Sequence, residues 1–168
     1  MFGLWYKPKP TRRRTLKAKV KVTHNFEAAQ KDLDKFDKEI SKHSNIVVGV
    51  PKNSAPYPDG TSVILVALVH EFGSVIRNIP ERSFLRAGVK RNSKKYTKLF
   101  ASLAKESLNG SGDFLRGLNK IGLVAQTDVR QEITDLKTPP LKSRAGNPLV
   151  DTGHLRQSIV YQVNRNDD

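Results

Sequence analysis

The sequence predicts an α+β domain in which helices pack on one face of a small, mainly antiparallel sheet, preceded by an extended basic N-terminal arm. Short segments with strand patterns lie towards both ends of the chain, and helical patterns are grouped between them. A length of 168 residues is enough for one domain with a substantial core. We therefore expect an arm at residues 1–14 and a single domain at residues 15–168.

The first elements follow from two different hydrophobic periods. Residues 15–22 alternate apolar side chains with Lys17, Lys19 and Lys21, which predicts a strand with one apolar and one cationic face. Residues 26–40 carry apolar side chains at helical spacing, with Asn25 as a possible N-cap. The helix is rich in acids, Asp32 and Asp34 among them.

The middle of the chain contains a short strand and an ambiguous apolar run. Residues 46–50 predict a largely buried strand that Pro51 stops, followed by a loop at residues 51–59. Residues 63–69 fit either a buried strand or a buried helix. Ser62 as a cap and Gly73 as a stop favour the helix.

The C-terminal half predicts two helical regions and a last strand. Pro80 is expected to open a region that reaches Leu108, with a break near Gly88, and residues 109–112 form a turn. A second helix, with apolar side chains from Leu118 to Ile133, ends before a loop at residues 139–148. The alternation at residues 158–163 predicts the final strand.

Charge is distributed unevenly along the chain. The sequence holds 30 Lys plus Arg against 16 Asp plus Glu, a net charge of +14, and every charged side chain before Glu27 is basic. Such a segment can hold phosphates, settle on an anionic membrane, grip an acidic subunit or simply keep the protein soluble. Composition does not choose among these. The basic residues that we take as interface candidates lie at the end of the arm and in the strand that follows it. They are Arg12, Arg13, Arg14, Lys17, Lys19 and Lys21.

Several classes of protein are excluded by composition. With no Cys, the chain has no disulfides, zinc ribbon, iron–sulfur site or thiol catalysis. The longest apolar stretch, residues 63–69, is too short to span a membrane, and the N-terminus reverses the order of a signal peptide. We expect a protein kept inside the cell, or built into a particle there, with no membrane partner.

The short motifs that invite a catalytic interpretation lack their context. His70-Glu71 resembles a zinc-protease helix, but Ser74 stands where the second ligand belongs. Residues 110–112 are glycine-rich without the strand and lysine of a phosphate loop. Asp151-Thr152-Gly153 matches an aspartic-protease triplet, yet its plain interpretation is a turn in which Asp151 accepts backbone N–H bonds and Gly153 has a positive φ. We expect neither an enzyme nor a cofactor.

Three segments taken together resemble the neck and tail-completion proteins of tailed bacteriophages. They are residues 69–74 (VHEFGS), 79–86 (IPERSFLR) and 148–159 (PLVDTGHLRQSI), and the resemblance covers roughly residues 46–163. It implies a non-enzymatic virion protein, found in the host cytoplasm during assembly, that forms a ring between head connector and tail. Its implied partners are copies of itself, the connector or head-completion proteins, tail-terminator or tail proteins, and the DNA that passes through the channel.

The chain departs from this pattern at two places. Ser83 stands where a second proline is expected, and no return strand follows residues 158–163. The basic strand at residues 15–22 is a candidate to fill that place in the sheet.

The charged residues suggest where subunits meet. Glu71, Arg82 and Arg86 pair either within the fold or between subunits, while Phe72, Phe84 and Leu85 are core-type residues. A ring needs two different complementary patches, and the basic arm and the acidic helix offer one such pair.

The alternative function is a basic nucleic-acid-binding protein that uses the N-terminal arm, with Trp5 and Tyr6 available for stacking. The chain shows neither a groove-reading basic helix nor an aromatic-rich RNA-binding strand.

Overall fold

The structure of the protein is a computed structural model, and it describes residues 26–109, 113–140, 149 and 152–165. The predicted arm, the predicted strand at residues 15–22 and Asn25 lie outside the described residues. So do residues 141–148 of the loop predicted at residues 139–148. The turn residues 110–112 also lie outside them.

The described chain forms six helices and two strands, which confirms the α+β prediction. In chain order they are α1 (Phe26–Lys42), β1 (His43–Gly49), α2 (Val63–Phe72), α3 (Leu85–Arg91), α4 (Ser93–Leu108), α5 (Phe114–Asp135), α6 (His154–Gln157) and β2 (Val160–Arg165). None of the helices within these residues is long and apolar enough to cross a membrane.

Within the described residues, the sheet is one antiparallel pair of strands. Ile46 of β1 lies opposite Val163 of β2, and Val48 lies opposite Tyr161. These four side chains are partly buried, whereas Val47 between them is half exposed. The alternation gives the sheet one face that packs on helices, as the period of two predicts.

Helix α5 is the centre of the domain, because it contacts both strands and helices α3, α4 and α6. Val129 and Ile133 are fully buried and pack with Val63, Phe84 and Ile159. A second, smaller cluster lies further towards the N-terminus of the helix and consists of Leu103, Leu118 and Ile121.

The helical region predicted from Pro80 to Leu108, with a break near Gly88, differs from the structure in two ways. Residues 80–84 are irregular, and α3 begins only at Leu85. The break lies at Asn92, whose side-chain amide donates to the Gly88 carbonyl at 2.9 Å, and not at Gly88. Gly88 is instead buried against α5, where an added Cβ would lie 3.3 Å from Val129 and Glu132 atoms.

Other expectations need smaller corrections. Strand β1 begins at His43 rather than at residue 46, and the predicted final strand begins at Val160 because α6 precedes it. Residues 63–69 are helical, and Ser62 occupies the N-cap position without a side-chain cap bond. Phe72 is 60% exposed and is not a core residue. Its neighbour Glu71 faces inward, and successive helix positions point about 100° apart.

Candidate functional site

Glu71, at the end of α2, is the most completely bonded buried acid of the described chain. The residue as a whole is 4% exposed. The carboxylate accepts hydrogen bonds from the backbone N–H groups of Phe84, Leu85 and Arg86 at 2.9–3.0 Å. Ser83 Oγ donates at 2.8 Å and Arg86 Nε at 2.9 Å. Glu71 therefore caps the N-terminus of α3 from another element, because Phe84, the N-cap residue, has no side-chain acceptor of its own.

These donors also set the charge state of Glu71. Burial alone would raise the pKa of this carboxyl group. The backbone N–H groups of Leu85 and Arg86 and the side chains of Arg86 and Ser83 outweigh burial, so the pKa lies below its usual value. Glu71 is consequently a carboxylate in the folded protein at neutral pH.

Two arginines complete what we call the Glu71 cluster, which consists of Glu71, Arg82, Ser83 and Arg86. Arg86 also bonds the Glu71 carbonyl and Glu81, and its guanidinium lies 4.8 Å from the centre of the exposed Phe72 ring. Arg82 is 3% exposed and donates to the carbonyls of Pro139 and Pro140 at 2.8 and 3.1 Å. Glu71 and Arg86 thus pair within the fold, whereas Arg82 bonds backbone carbonyls. Pairing of these residues between subunits stays a prediction.

His70 lies beside the cluster and offers no metal site. Burial, and secondly the positive charge of Arg82, lower the pKa of this imidazole. Its Nδ1 is buried without a hydrogen-bond partner among the described residues. The same part of the chain contains no group of three His, Cys, Asp or Glu side chains that could hold a metal ion.

Between α2 and the cluster, the chain makes the tight reversal that we call the Val75–Ile76 turn (residues 74–79). Ser74 and Ile79 bond each other's backbone at 2.8 and 2.9 Å, and Asn78 has a φ of 50°. Val75 and Ile76 at its tip are 98% and 99% exposed. At its base Gly73 has a φ of 74°, and a Cβ there would lie 2.9 Å from the Glu81 nitrogen. Because the two backbone hydrogen bonds between Ser74 and Ile79 close the turn, its tip presents two aliphatic side chains to solvent.

An apolar groove of about 540 Å³ opens on another side of the domain. It runs between the C-terminal half of α1, β1 and the helices α3 and α4, with α5 as its floor. Phe36 of α1 meets Phe114 edge to face, with ring centres 5.7 Å apart. Leu33 and Ile40 of the same apolar stripe are 52% and 43% exposed, so α1 is only partly covered. The groove is lined mainly by the apolar side chains of Ile40, Ile46, Leu85, Val89, Phe100 and Phe114.

The other predicted interface residues do not belong to the Glu71 cluster. Asp32 and Asp34 are exposed on α1, and Asp34 accepts a bond from Gln30 at 3.0 Å. The basic candidates Arg12, Arg13, Arg14, Lys17, Lys19 and Lys21 lie outside the described residues. Their role at an interface stays a prediction.

The predicted turn at residues 151–153 is described in part. Asp151 lies outside the described residues. Gly153 has a φ of 77°, as expected, and Thr152 Oγ1 accepts a 3.3 Å bond from the His154 nitrogen. The turn leads into α6 and not directly into the last strand. It therefore serves as the start of a short helix.

Sequence reasoning did not single out Val75 and Ile76 or the groove. The signal for the turn is an aliphatic pair between Gly73 and Pro80, outside any periodic segment. The groove has no comparable signal, because its walls come from five elements. Comparison of the chain with protein-family models, curated proteins and solved structures gave no match.

Proposed function

We propose that this protein is a structural component of a tailed-bacteriophage neck, which forms a ring and joins the head connector to the tail during assembly. The proposal begins from the three segments that resemble that family. Its partners are copies of itself, the connector or head-completion proteins and the tail proteins, with the genome passing through the channel. No catalytic role is part of it.

The arrangement of the three segments supports the proposal. Residues 69–74 and 79–86 meet around the Glu71 carboxylate. Leu155 and Ile159 of the third segment pack with Phe84 in one buried cluster. Residues from three segments that are distant in sequence, and that carry the resemblance to the family, thus contact one another in one part of the fold. Such an arrangement is expected in a protein whose task is to hold a surface in place.

The observation that carries the proposal is the exposure of Val75 and Ile76. A folded domain gains nothing by itself from two aliphatic side chains in full contact with water. Each gains roughly 1.5–3 kcal/mol when it is transferred to an apolar partner site. The backbone hydrogen bonds between Ser74 and Ile79 already fix the ends of the turn, which reduces the entropy lost on docking and suits a contact between virion proteins.

The first test is electron microscopy of lysates from cells infected with a phage that carries a nonsense mutation in this gene. We expect DNA-filled heads and finished tails that lie separate. Complementation with the wild-type chain restores joined particles. Normal particles in the mutant lysate would overturn the proposal.

The second test examines the turn in the same complementation assay. We expect the double variant Val75→Ser, Ile76→Ser to fold normally and to leave heads and tails unjoined. The matched control is Leu123→Ser, which removes a 55% exposed leucine from α5. The control should join particles as wild type does. Full joining by the double variant would remove the turn from the proposal.

The nucleic-acid-binding alternative rests on the net charge of +14. A protein with that function would bind DNA tightly at low salt and lose orders of magnitude in affinity as salt rises. A neck ring has to let DNA pass, so tight binding is not expected of it. If mutant lysates contain normal particles, salt-dependent DNA binding becomes the leading account.

A further inference from the structure

We infer that the apolar groove beside α1 is the docking site for the N-terminal arm (residues 1–14) of a second copy of this chain. The inference rests on the proposed ring, because it assigns one of the two complementary patches that a ring requires. The first argument is chemical. The groove walls are apolar, with Asn45 as an exception, and Phe100 and Ile40 remain 43% exposed in the single chain.

The arm carries an apolar end that matches these walls. Five of its first six residues are large and apolar or aromatic, namely Met1, Phe2, Leu4, Trp5 and Tyr6. Aromatic side chains of this kind contribute most of the affinity in many protein interfaces, because they bury a large area for few rotatable bonds. A groove of about 540 Å³ is in the size range of sites that enclose a few such groups.

Charge complementarity gives the second argument. The rest of the arm carries only positive charges, from Lys7 to Arg14. On α1, Asp32 lies one turn before Phe36 and Asp37 lies three residues before Ile40, so acids flank the apolar stripe whose member Ile40 lines the groove. Lys31, Lys35 and Lys38 lie on the opposite face of this helix. A segment with an apolar end and basic residues after it can place the apolar end in the groove and the basic residues beside these acids.

The length of the arm permits it to reach another copy. Fourteen extended residues span up to about 45 Å, whereas a domain of this size has a radius of gyration of about 15 Å. Lys7-Pro8-Lys9-Pro10 favours an extended chain, which lowers the entropy lost on docking. If residues 15–22 pair with the sheet of their own chain, as predicted, the arm is left to project from the domain.

Photo-crosslinking of the full-length chain tests the inference. A benzoylphenylalanine replaces Trp5, equal amounts of ¹⁴N- and ¹⁵N-labelled protein are mixed and irradiated, and joined peptides are identified by mass spectrometry. We expect position 5 to be joined to peptides that contain Phe100 or Phe114, with one light and one heavy partner. If every joined peptide pair were of a single isotope, the groove would hold the arm of its own chain, and the inference would be overturned. Crosslinks elsewhere, or none, would also overturn it.

A pair of variants makes the test specific to the groove. Phe100→Asp in the full-length chain should reduce the mixed-isotope crosslink at least tenfold, whereas Leu123→Asp, an exposed position on the same domain outside the groove lining, should not. An undiminished crosslink in Phe100→Asp overturns the inference.

Head–tail joining is scored separately, so that the two proposals fail in different ways. If Phe100→Asp joins particles normally, the groove inference is wrong and the neck function stands. If the mixed-isotope crosslink forms on the groove but the gene is dispensable for joining, the docking site stands and the neck function is wrong.

Discussion

In the Glu71 cluster a buried carboxylate meets five donors from its own chain, whereas in the apolar groove Phe100 and Ile40 remain 43% exposed. The difference follows from the cost of leaving each kind of group without a partner. A buried charge without donors destabilises the fold by several kcal/mol, so its partners have to come with the fold. An exposed apolar side chain destabilises the fold less, so it can remain in solvent until another protein binds it. The cluster is therefore complete in one chain, and the groove is not.

The largest effect is expected when the cluster is broken. Glu71→Ala leaves the N–H groups of Phe84, Leu85 and Arg86 without their acceptor, and we expect it to lower the free energy of unfolding by about 3–5 kcal/mol. Urea unfolding measures this. The control is Glu81→Ala, because Glu81 binds the same Arg86 but is half exposed, and it should cost at most about 1 kcal/mol. Equal losses in the two variants would contradict the ranking.

The charge of Glu71 also predicts a pH dependence. Because its pKa is lower in the folded than in the unfolded protein, its contribution is fully present above the ordinary value of 4.5 and is lost as the pH falls through the folded pKa. We expect Glu71→Gln to be less stable than wild type at neutral pH and to approach it below pH 4.5. A stability difference that stays constant on acidification would contradict this assignment.

An intermediate effect is expected at the base of the Val75–Ile76 turn. Gly73→Ala meets both an unfavourable φ of 74° and backbone atoms at 2.9–3.0 Å, and should lower the free energy of unfolding by about 1–3 kcal/mol. Gly60 has a similar φ of 80° with open space around it, so Gly60→Ala measures the conformational cost alone. We expect the Gly73 variant to be the less stable of the two by urea unfolding. The reverse order would mean that the turn base is not tightly packed.

The smallest effect is expected on the exposed stripe of α1. Leu33 is 52% exposed, so Leu33→Ser should change the free energy of unfolding by no more than about 0.5 kcal/mol in dilute protein. Val129→Ala, in the buried core, is the comparison and should cost at least about 1–2 kcal/mol. A large decrease in the free energy of unfolding of Leu33→Ser would indicate that the arm of the same chain already covers the stripe.

Hydrophobic period predicted the helices well, because it depends on residues three and four positions apart. The spacing from Phe26 to Ile40 predicted α1, and that from Leu118 to Ile133 predicted α5. The hydrophobic period did not predict the helix boundaries correctly where a Pro or Gly residue has a role in tertiary packing. Pro80 is typical of a helix start and Gly88 of a helix break. In the structure, Pro80 lies in the segment that turns towards Glu71, and Gly88 permits close packing on α5. Neither use is visible locally.

For the Glu71 cluster, the sequence indicated which charged residues take part but not which groups they contact. Glu71, Arg82 and Arg86 were singled out as charges that needed partners, and the sequence left open whether those partners lay within the chain. The donors to Glu71 come from 12 to 15 residues further along, and the acceptors of Arg82 from 57 and 58 residues further along. Contacts of that separation depend on how α2, α3 and α5 pack together.

By itself, the amino-acid sequence determined the α+β class, the positions of the long helices, the basic N-terminal segment and the lack of cysteine chemistry. These properties follow from composition and from short-range periodicity. The tertiary structure alone decided that Glu71 faces inward while Phe72 faces water, that Val75 and Ile76 form an exposed tip, and that an apolar groove stays open beside α1. Burial is a property of the packed elements together, and no single segment contains that information.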